Sequence, residues 1–183
     1  MYIVPIYNEF GYIKIDEARI DQACEAYFKW KDLNSYISDN SHRGINMPDA
    51  ISEPMGCYCL GYLWNRGDEV GDATDVNGMK VEFKATSRFD GDLSSFGPKC
   101  QFDNLVYLRF KTDDNLLYVY DLKINSIDFG KLPANQSQTI ADQKNQGRRP
   151  HVSLQKLFVD AKGLKPDIIF DIRRCKIVED NRK

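Results

Sequence analysis

Three charged residues near the middle of the chain, Asp72, Glu82 and Lys84, have the types and spacing of a phosphodiester-cleaving site. Glu82 and Lys84 stand two apart in an alternating segment that predicts a β-strand, so both side chains leave one face. Carboxylate oxygens are the ligands that Mg²⁺ prefers, and Asp72 and Glu82 are predicted to hold one or two such ions. Lys84 is predicted to position the attacking water, to favour its deprotonation or to offset transition-state charge. The pattern indicates metal-assisted hydrolysis.

The tripeptide Glu-x-Lys by itself is common as solvated charge on the outer face of a strand. Three features favour a catalytic interpretation here. Asp72 lies ten residues before Glu82, and Asn77-Gly78 between them is a strong turn signal. The third feature is the apolar alternation that points toward a core, at Val81, Phe83 and Ala85.

The turn raises a geometric difficulty for this site. A two-residue turn at Asn77-Gly78 would place Asp72 opposite Phe83, on the wrong face of the sheet relative to Glu82. A bulge, or a start of the regular strand after Asp72, would restore convergence. We therefore predict an irregularity near residues 71–75.

The segment resembles the PD-(D/E)XK nuclease superfamily, in which a strand-borne aspartate precedes an E/D-x-K on the next strand. It is similar to the PvuII-like arrangement of small type II restriction enzymes, with Glu69, Asp72, Glu82 and Lys84 at the motif positions. Gly71 stands where the family name has proline. The resemblance covers about residues 66–110, and residues 43–53 and 148–151 also resemble motifs of small restriction enzymes.

Further metal ligands are expected beside the two acids. The Phe83 carbonyl is one candidate. The resemblance implies that Glu53, on the helix before the hairpin, faces the site as a second-metal ligand or as an acceptor that orders water. Glu69 is a third candidate. The alternatives are a surface glutamate at position 53 and a solvated one at position 69.

Two polar segments are predicted to contact DNA. One follows Lys84 directly, and the other combines amides with arginines, which suit base edges and phosphates. Ordinary solvated loops are the alternative for both segments, and His151 is expected to be a DNA contact or structural rather than a general base. The candidate residues are Ser87, Arg88, Ser94, Ser95, Lys99, Gln101, Lys144, Asn145, Gln146, Arg148, Arg149 and His151.

The surrounding pattern predicts an α/β fold of the α+β type, with a mixed central β-sheet flanked by helices. We expect one domain over residues 1–183, with a largely helical part at 1–66, the catalytic sheet at 67–125, and a DNA-contacting and closing part at 126–183. Helices are predicted from Asp16, from Pro48 to about Trp64, and from Ser153 to about Lys162. Strands are predicted at 2–7, 79–84, 105–110, 116–122 and 167–172, with loops at 35–43 and 135–149.

Composition limits the class of protein. The chain has 183 residues with 42% hydrophobic content, which suits one globular domain. Five irregularly spaced cysteines form no zinc pattern and are predicted to be reduced thiols. Without a leader or a long apolar run, a cytoplasmic location with no membrane association is expected. Residues 1–130 carry a net charge of −8 and residues 131–176 one of +6, so the chain can present a basic surface to DNA.

Together these observations predict a type II restriction endonuclease that hydrolyses double-stranded DNA and leaves 5′-phosphate and 3′-hydroxyl ends. A homodimer is expected, because one short chain has one active site and a palindromic site has two scissile bonds. Two alternatives stay open. One is a structure-specific repair or junction nuclease of the same fold, and the other is a non-catalytic DNA-binding module.

Overall fold

The computed structural model describes residues 11–66 and 71–182. An eight-stranded sheet runs through this part of the chain in the spatial order β1-β2-β3-β4-β6-β7-β9-β10. Strands β4 and β6 are parallel, and the other neighbours are antiparallel. The strands are β1 (Tyr12–Lys14), β2 (Leu63–Asn65), β3 (Ala73–Thr74), β4 (Lys80–Thr86), β6 (Asn104–Lys111), β7 (Leu116–Asp121), β9 (Ile168–Asp171) and β10 (Lys176–Asp180). The predicted mixed sheet with flanking helices is confirmed, although it is not confined to residues 67–125.

Two strands lie outside the main sheet. β5 (Ser94–Ser95) and β8 (His151–Val152) pair antiparallel as a short ribbon. The ribbon joins segments that are more than fifty residues apart in the chain, a pairing that no local pattern predicts.

The first two helices begin where the sequence predicts and end elsewhere. α1 (Glu17–Asn40) is capped by Asp16, whose side chain accepts from the backbone N–H of Arg19 at 2.9 Å. It continues through residues 35–40, where a loop was predicted. α2 (Asp49–Leu60) follows Pro48 but stops before Trp64, because Gly61 adopts a left-handed conformation at φ +78°.

The second half of the chain has three shorter helical elements. These are α3 (Ser126–Gly130), α4 (Ile140–Asn145) and a π-helical segment (Gln155–Asp160) within the predicted third helix. The loop predicted over 135–149 is wrong in its middle part. Thr139 and Asp142 form a capping box there that starts α4.

Strand β4, which carries Glu82 and Lys84, lies beside a strand that is buried on both faces. Along β6, Val106 and Leu108 belong to the core cluster beneath α1 and α2, whereas Leu105 and Tyr107 belong to the opposite cluster. A strand covered on both sides is fixed by packing on two faces. Val81 and Phe83 of β4 point into the first cluster, as predicted. Glu82 and Lys84, which alternate with them along β4, therefore face the second cluster.

Some predictions fall where the structure describes nothing. The strand expected at residues 2–7 and the candidate ligand Glu69 both lie outside the described residues. Among the residues that are described, no helix has the length and apolar character needed to cross a membrane.

Candidate active site

The hairpin between β3 and β4 sets the register of the site. Ala73 pairs with Val81 and Thr74 pairs with Lys80, so the connecting loop spans residues 76–78. The expected two-residue turn is therefore wrong. The loop contains Val76 in addition to Asn77 and Gly78, with Gly78 at φ +84°, so the register differs by one residue from that of the expected turn. The regular pairing ends at Ala73 and Val81, so the face on which Asp72 lies depends on the backbone just before β3.

Asp72 lies at a local irregularity of β3. Its backbone N–H donates to the Val81 carbonyl at 2.9 Å, although Ala73 is the register partner of Val81. Asp72 and Ala73 therefore both lie opposite Val81, as in a β-bulge. The structure contains the irregularity predicted for residues 71–75. The Asp72 carboxylate Oδ2 accepts from the backbone N–H of Phe83 at 2.7 Å. This bond holds the carboxylate against the edge of β4.

Glu82 and Lys84 form an ion pair on one face of β4. Lys84 Nζ lies 2.5 Å from Glu82 Oε1, and both side chains are largely shielded from solvent. Lys84 Nζ also lies 5.3 Å from the centre of the Phe96 ring. Burial lowers the pKa of Lys84, but attraction to Glu82 and Asp72 and the Glu82 hydrogen bond outweigh it, so the pKa is raised overall. The amine is held as a cation.

The site has more acidic groups than cations, because Asp72, Glu82 and Glu53 lie near one lysine, Lys84. Burial and repulsion by Glu82 raise the pKa of Asp72 to about 6. Burial and repulsion by Asp72 raise the pKa of Glu53 to about 8, against the opposing hydrogen bond from Trp64 Nε1 to Glu53 Oε2 at 2.8 Å. Such shifts mark carboxylates whose charge is not compensated. A divalent cation would supply the missing charge.

The donor chemistry fits Mg²⁺, although the side chains are not arranged as a ready-made cage. Among the described residues, no group of three or more His, Cys, Asp or Glu side chains is placed to hold a metal ion. Each acid is engaged by a protein donor instead, Asp72 by an amide, Glu82 by Lys84 and Glu53 by Trp64. Metal binding would exchange some of these bonds for ligation. Whether the Phe83 carbonyl takes part stays a prediction.

A cleft of about 840 Å³ opens from Lys84 toward the surface. It is lined by the segment from Arg43 to Met47, by Asp49, and by residues 83–88, 92–95 and His151. Five of the predicted DNA-contact residues line it: Ser87, Arg88, Ser94, Ser95 and His151. The segment containing Arg43 and Asn46 had been singled out only as a motif resemblance, without assigned contacts.

The other predicted contacts lie away from the cleft and are partly structural. Lys144 Nζ donates to the Cys100 carbonyl at 2.6 Å, which ties α4 to the loop before β6. The Gln146 side-chain oxygen accepts from Gln138 at 3.3 Å, and Arg148 donates to Gln138 at 3.4 Å. The remaining four do not line the cleft, namely Lys99, Gln101, Asn145 and Arg149, and all are exposed.

Comparison with known proteins identifies the family of the chain. The family model described as Bsp6I restriction endonuclease matches residues 15–161. A curated relative from Bacillus sp. (strain RFL6), named type II restriction enzyme Bsp6I, is 41% identical over 169 residues, which cover 92% of this chain and 97% of that protein. No solved structure matches the chain. The matched family region includes both acids and the lysine of the site.

Proposed function

The chain belongs to the Bsp6I restriction endonuclease family and is a type II restriction endonuclease, and we propose that it hydrolyses double-stranded DNA with Mg²⁺ at Asp72, Glu82 and Lys84. One observation carries the proposal. The Asp72 carboxylate accepts from the amide of Phe83, which stands between the ion-paired Glu82 and Lys84, and Lys84 lines an open cleft.

The reaction is the in-line displacement at phosphorus by water. The water oxygen forms the new bond, the bond from phosphorus to the 3′ oxygen breaks, and the leaving oxygen takes up a proton, which gives 5′-phosphate and 3′-hydroxyl ends. Asp72 and Glu82 would hold Mg²⁺, with the Phe83 carbonyl, Glu53 and Glu69 as further candidate ligands. Bound Mg²⁺ would supply charge against a phosphate oxygen and make water easier to deprotonate. The PD-(D/E)XK resemblance supports this assignment.

Lys84 acts on the attacking side of the phosphate. It is cationic, it is fixed by Glu82, and it borders the cleft through which DNA would approach. From that position the ammonium orients the nucleophile and offsets the negative charge that builds up on the phosphate oxygens. Glu82 therefore has two roles, since it aims Lys84 with one oxygen and offers the other to the cation.

We also propose that two copies act together on one site. A chain of this size carries one set of catalytic residues, and a two-fold site has two scissile bonds related by symmetry. Sedimentation of the protein with a duplex containing its site measures the stoichiometry. Two chains per duplex are expected, and one chain per duplex would contradict the dimer.

Digestion of a sequenced phage DNA, with the ends mapped, tests the activity. With Mg²⁺, discrete fragments are expected; with a chelator, or with the Lys84→Ala variant, intact DNA is expected. A digest that cuts only branched or nicked substrates would favour a repair or junction nuclease instead. Specific binding without cutting by the wild-type protein in Mg²⁺ would indicate a non-catalytic module. The mapped ends also give the recognition sequence and the stagger.

A further inference from the structure

Leu93 is an apolar side chain presented at the cleft. It is 70% exposed, and among the described residues the other large exposed hydrophobic side chains do not line the cleft that leads to Lys84. A single exposed leucine needs no explanation on an ordinary surface. Its location among DNA-facing polar residues, together with the rigidity of its backbone, requires one.

The backbone on both sides of Leu93 is fixed. The Asp92 carboxylate accepts from Ser153 Oγ at 2.6 Å, from the backbone N–H of Leu154 at 2.9 Å and from that of Gln155 at 3.1 Å. On the other side, β5 begins at once and pairs with β8. The leucine is therefore held outward by its neighbours and does not belong to a loose loop that merely failed to bury it.

Leu93 belongs to a stretch of surface shared by two clefts, which we call the ridge. The first is the cleft at Lys84, and the second has a volume of about 600 Å³ and is lined by Ser153 and Lys156 among others. Arg88, Asp92 and Leu93 line both clefts. Each cleft contains cationic side chains, Lys84 in the first, Lys156 in the second and Arg88 in both, beside Asp49 in the first and Asp90 in the second.

A surface with this relief fits duplex DNA. Cations on either side of a ridge can contact the phosphates of the two strands that border a groove, while the ridge itself enters the groove. An apolar side chain on such a ridge reaches base pairs, where it contacts their apolar edges or enters between two steps. Phosphate contacts alone would not place a leucine there.

We propose that Leu93 enters a groove of the bound duplex, between phosphates held by Arg88 and Lys156, and makes an apolar contact with the base pairs. This inference rests on the proposed function, because it presumes that the cleft holds DNA. The contact adds to discrimination between sequences, since it is made to bases and carries no charge.

Equilibrium binding tests the contact. The probes are a short labelled duplex carrying the site mapped from the phage digest and a scrambled duplex, both measured in a chelator over a series of salt concentrations. Leu93→Ala is expected to weaken binding to the site-containing duplex about tenfold and to leave the scrambled duplex nearly unchanged. The slope of log affinity against log salt should stay at the wild-type value, because no phosphate contact is lost.

Two further variants calibrate the result. Arg88→Ala should reduce the salt slope by about one and weaken both duplexes. Ile127→Ala is the matched control, since Ile127 is 73% exposed on α3 and lines neither cleft. It should bind both duplexes as the wild type does. The thermal midpoint of Leu93→Ala should equal that of the wild type, which separates a lost contact from a lost fold.

Several outcomes would overturn the inference. One is Leu93→Ala binding the site-containing duplex as tightly as Ile127→Ala. Another is a loss that disappears when protein concentration is raised and that tracks a change in sedimentation, which would make Leu93 a contact between chains. If the wild-type protein cuts DNA while either result holds, only this inference fails. If the wild type does not cut at all, the proposed function fails instead.

Fluorescence of 2-aminopurine placed within the site identifies the kind of contact. A rise in emission with the wild type that is absent with Leu93→Ala indicates entry between base steps. A tenfold loss of affinity without any rise indicates contact with base edges. Either result supports the apolar contact.

Discussion

The carboxylate of Asp72 accepts a hydrogen bond from the backbone N–H of Phe83 at 2.7 Å, one residue away from both Glu82 and Lys84. Regular β3 begins only at Ala73. The side chain of Asp72, rather than a backbone carbonyl of β3, therefore accepts the next hydrogen bond along β4. The strand that carries Glu82 and Lys84 thereby orients the carboxylate of Asp72. The geometry of the proposed site depends on the hairpin, which is tested by the substitutions below.

Removing the Asp72 charge should abolish cleavage while leaving the fold intact. Asp72→Asn keeps an oxygen that can accept from the Phe83 amide, but it removes a charged ligand for Mg²⁺. We expect the cleavage rate to fall roughly a thousandfold or more. Single-turnover cutting of a plasmid measures this, and Asp39→Asn, at the exposed end of α1, is a matched control. Cutting at the wild-type rate by Asp72→Asn would reject the mechanism.

Trp64 is expected to act through Glu53. Its Nε1–H donates to Glu53 Oε2 at 2.8 Å, and Trp64→Phe removes that donor while it keeps an aromatic ring. Such outer partners change metal affinity or activity by about 10- to 100-fold when they are lost. We expect a higher Mg²⁺ concentration for half-maximal cutting.

Tyr58→Phe is the comparison for Trp64→Phe, because it removes a tyrosine–carboxylate bond, to Glu17, outside the site. Its Mg²⁺ dependence should equal that of the wild type. If the two variants show the same Mg²⁺ dependence, Trp64 does not position Glu53 for metal binding.

Stability without divalent cations should decrease as pH rises. Burial raises the pKa of Glu53 from 4.5 to about 8. Between these pH values the Glu53 carboxyl is ionised in the unfolded chain, whereas it retains its proton in the folded chain. Folding then binds a proton, and the free energy of unfolding falls with pH until about pH 8. Because solvent partly screens the carboxylate, we expect the free energy of unfolding to fall by about 1–2 kcal/mol.

Glu53→Gln should flatten this decline, and Mg²⁺ should stabilise the wild type at pH 8 more than it stabilises the variant. Thermal melts at pH 5, 6.5 and 8 in a chelator, with and without added Mg²⁺, measure both effects. Glu25→Gln, on the exposed side of α1, should follow the wild type. A decline that is as steep in Glu53→Gln as in the wild type would mean that Glu53 is not the group responsible.

Gly78→Ala should loosen the hairpin that aligns the site. Gly78 has φ +84° with no neighbour within 4 Å of a new Cβ, so the cost is one of backbone conformation rather than of space. We expect about 1 kcal/mol of lost stability and a reduced cleavage rate. Gly91→Ala is the control, since a Cβ there also meets open space but no left-handed φ is required. Equal stabilities of the two variants would contradict the assigned turn.

Asp92 is expected to hold the β5–β8 ribbon to the helical segment at residues 154–162. Asp92→Ala removes the acceptor for Ser153 and for two backbone N–H groups at the start of that segment. A loss of about 2–3 kcal/mol is expected by urea denaturation. Asp90→Ala, exposed two residues earlier, should cost little. An unchanged midpoint for Asp92→Ala would show that the ribbon is held by other contacts.

The prediction that Asp72, Glu82 and Lys84 form the site rests on a local signal. Alternation along 79–84 predicts a strand, and a strand places Glu82 and Lys84 on one face wherever it lies. The core-facing role of Val81 and Phe83 follows from the same period and is confirmed. The mixed sheet is likewise indicated by the order of periodic segments.

The ends of helices and loops were less predictable, because weak local preferences decide where a helix begins or ends. Residues 35–40 are polar, yet α1 continues through them, and Asn34 from that helix accepts from the backbone N–H of Ile45 at 2.7 Å. The tract at 135–149 contains a short helix because one threonine and one aspartate cap each other. Such energies are about 1 kcal/mol and leave little trace in composition.

Only the tertiary structure decided how the parts of the site meet. The local sequence placed Asp72 within reach of Glu82 but left the face undecided, whereas the folded chain has a three-residue loop at 76–78 and a bulge at Asp72. Ser95 and His151, which belong to the two segments predicted to contact DNA, are brought together by a strand pairing across more than fifty residues. A side-chain period is a property of neighbouring residues, whereas register and long-range pairing are chosen by the packing of the whole chain, which one segment cannot encode.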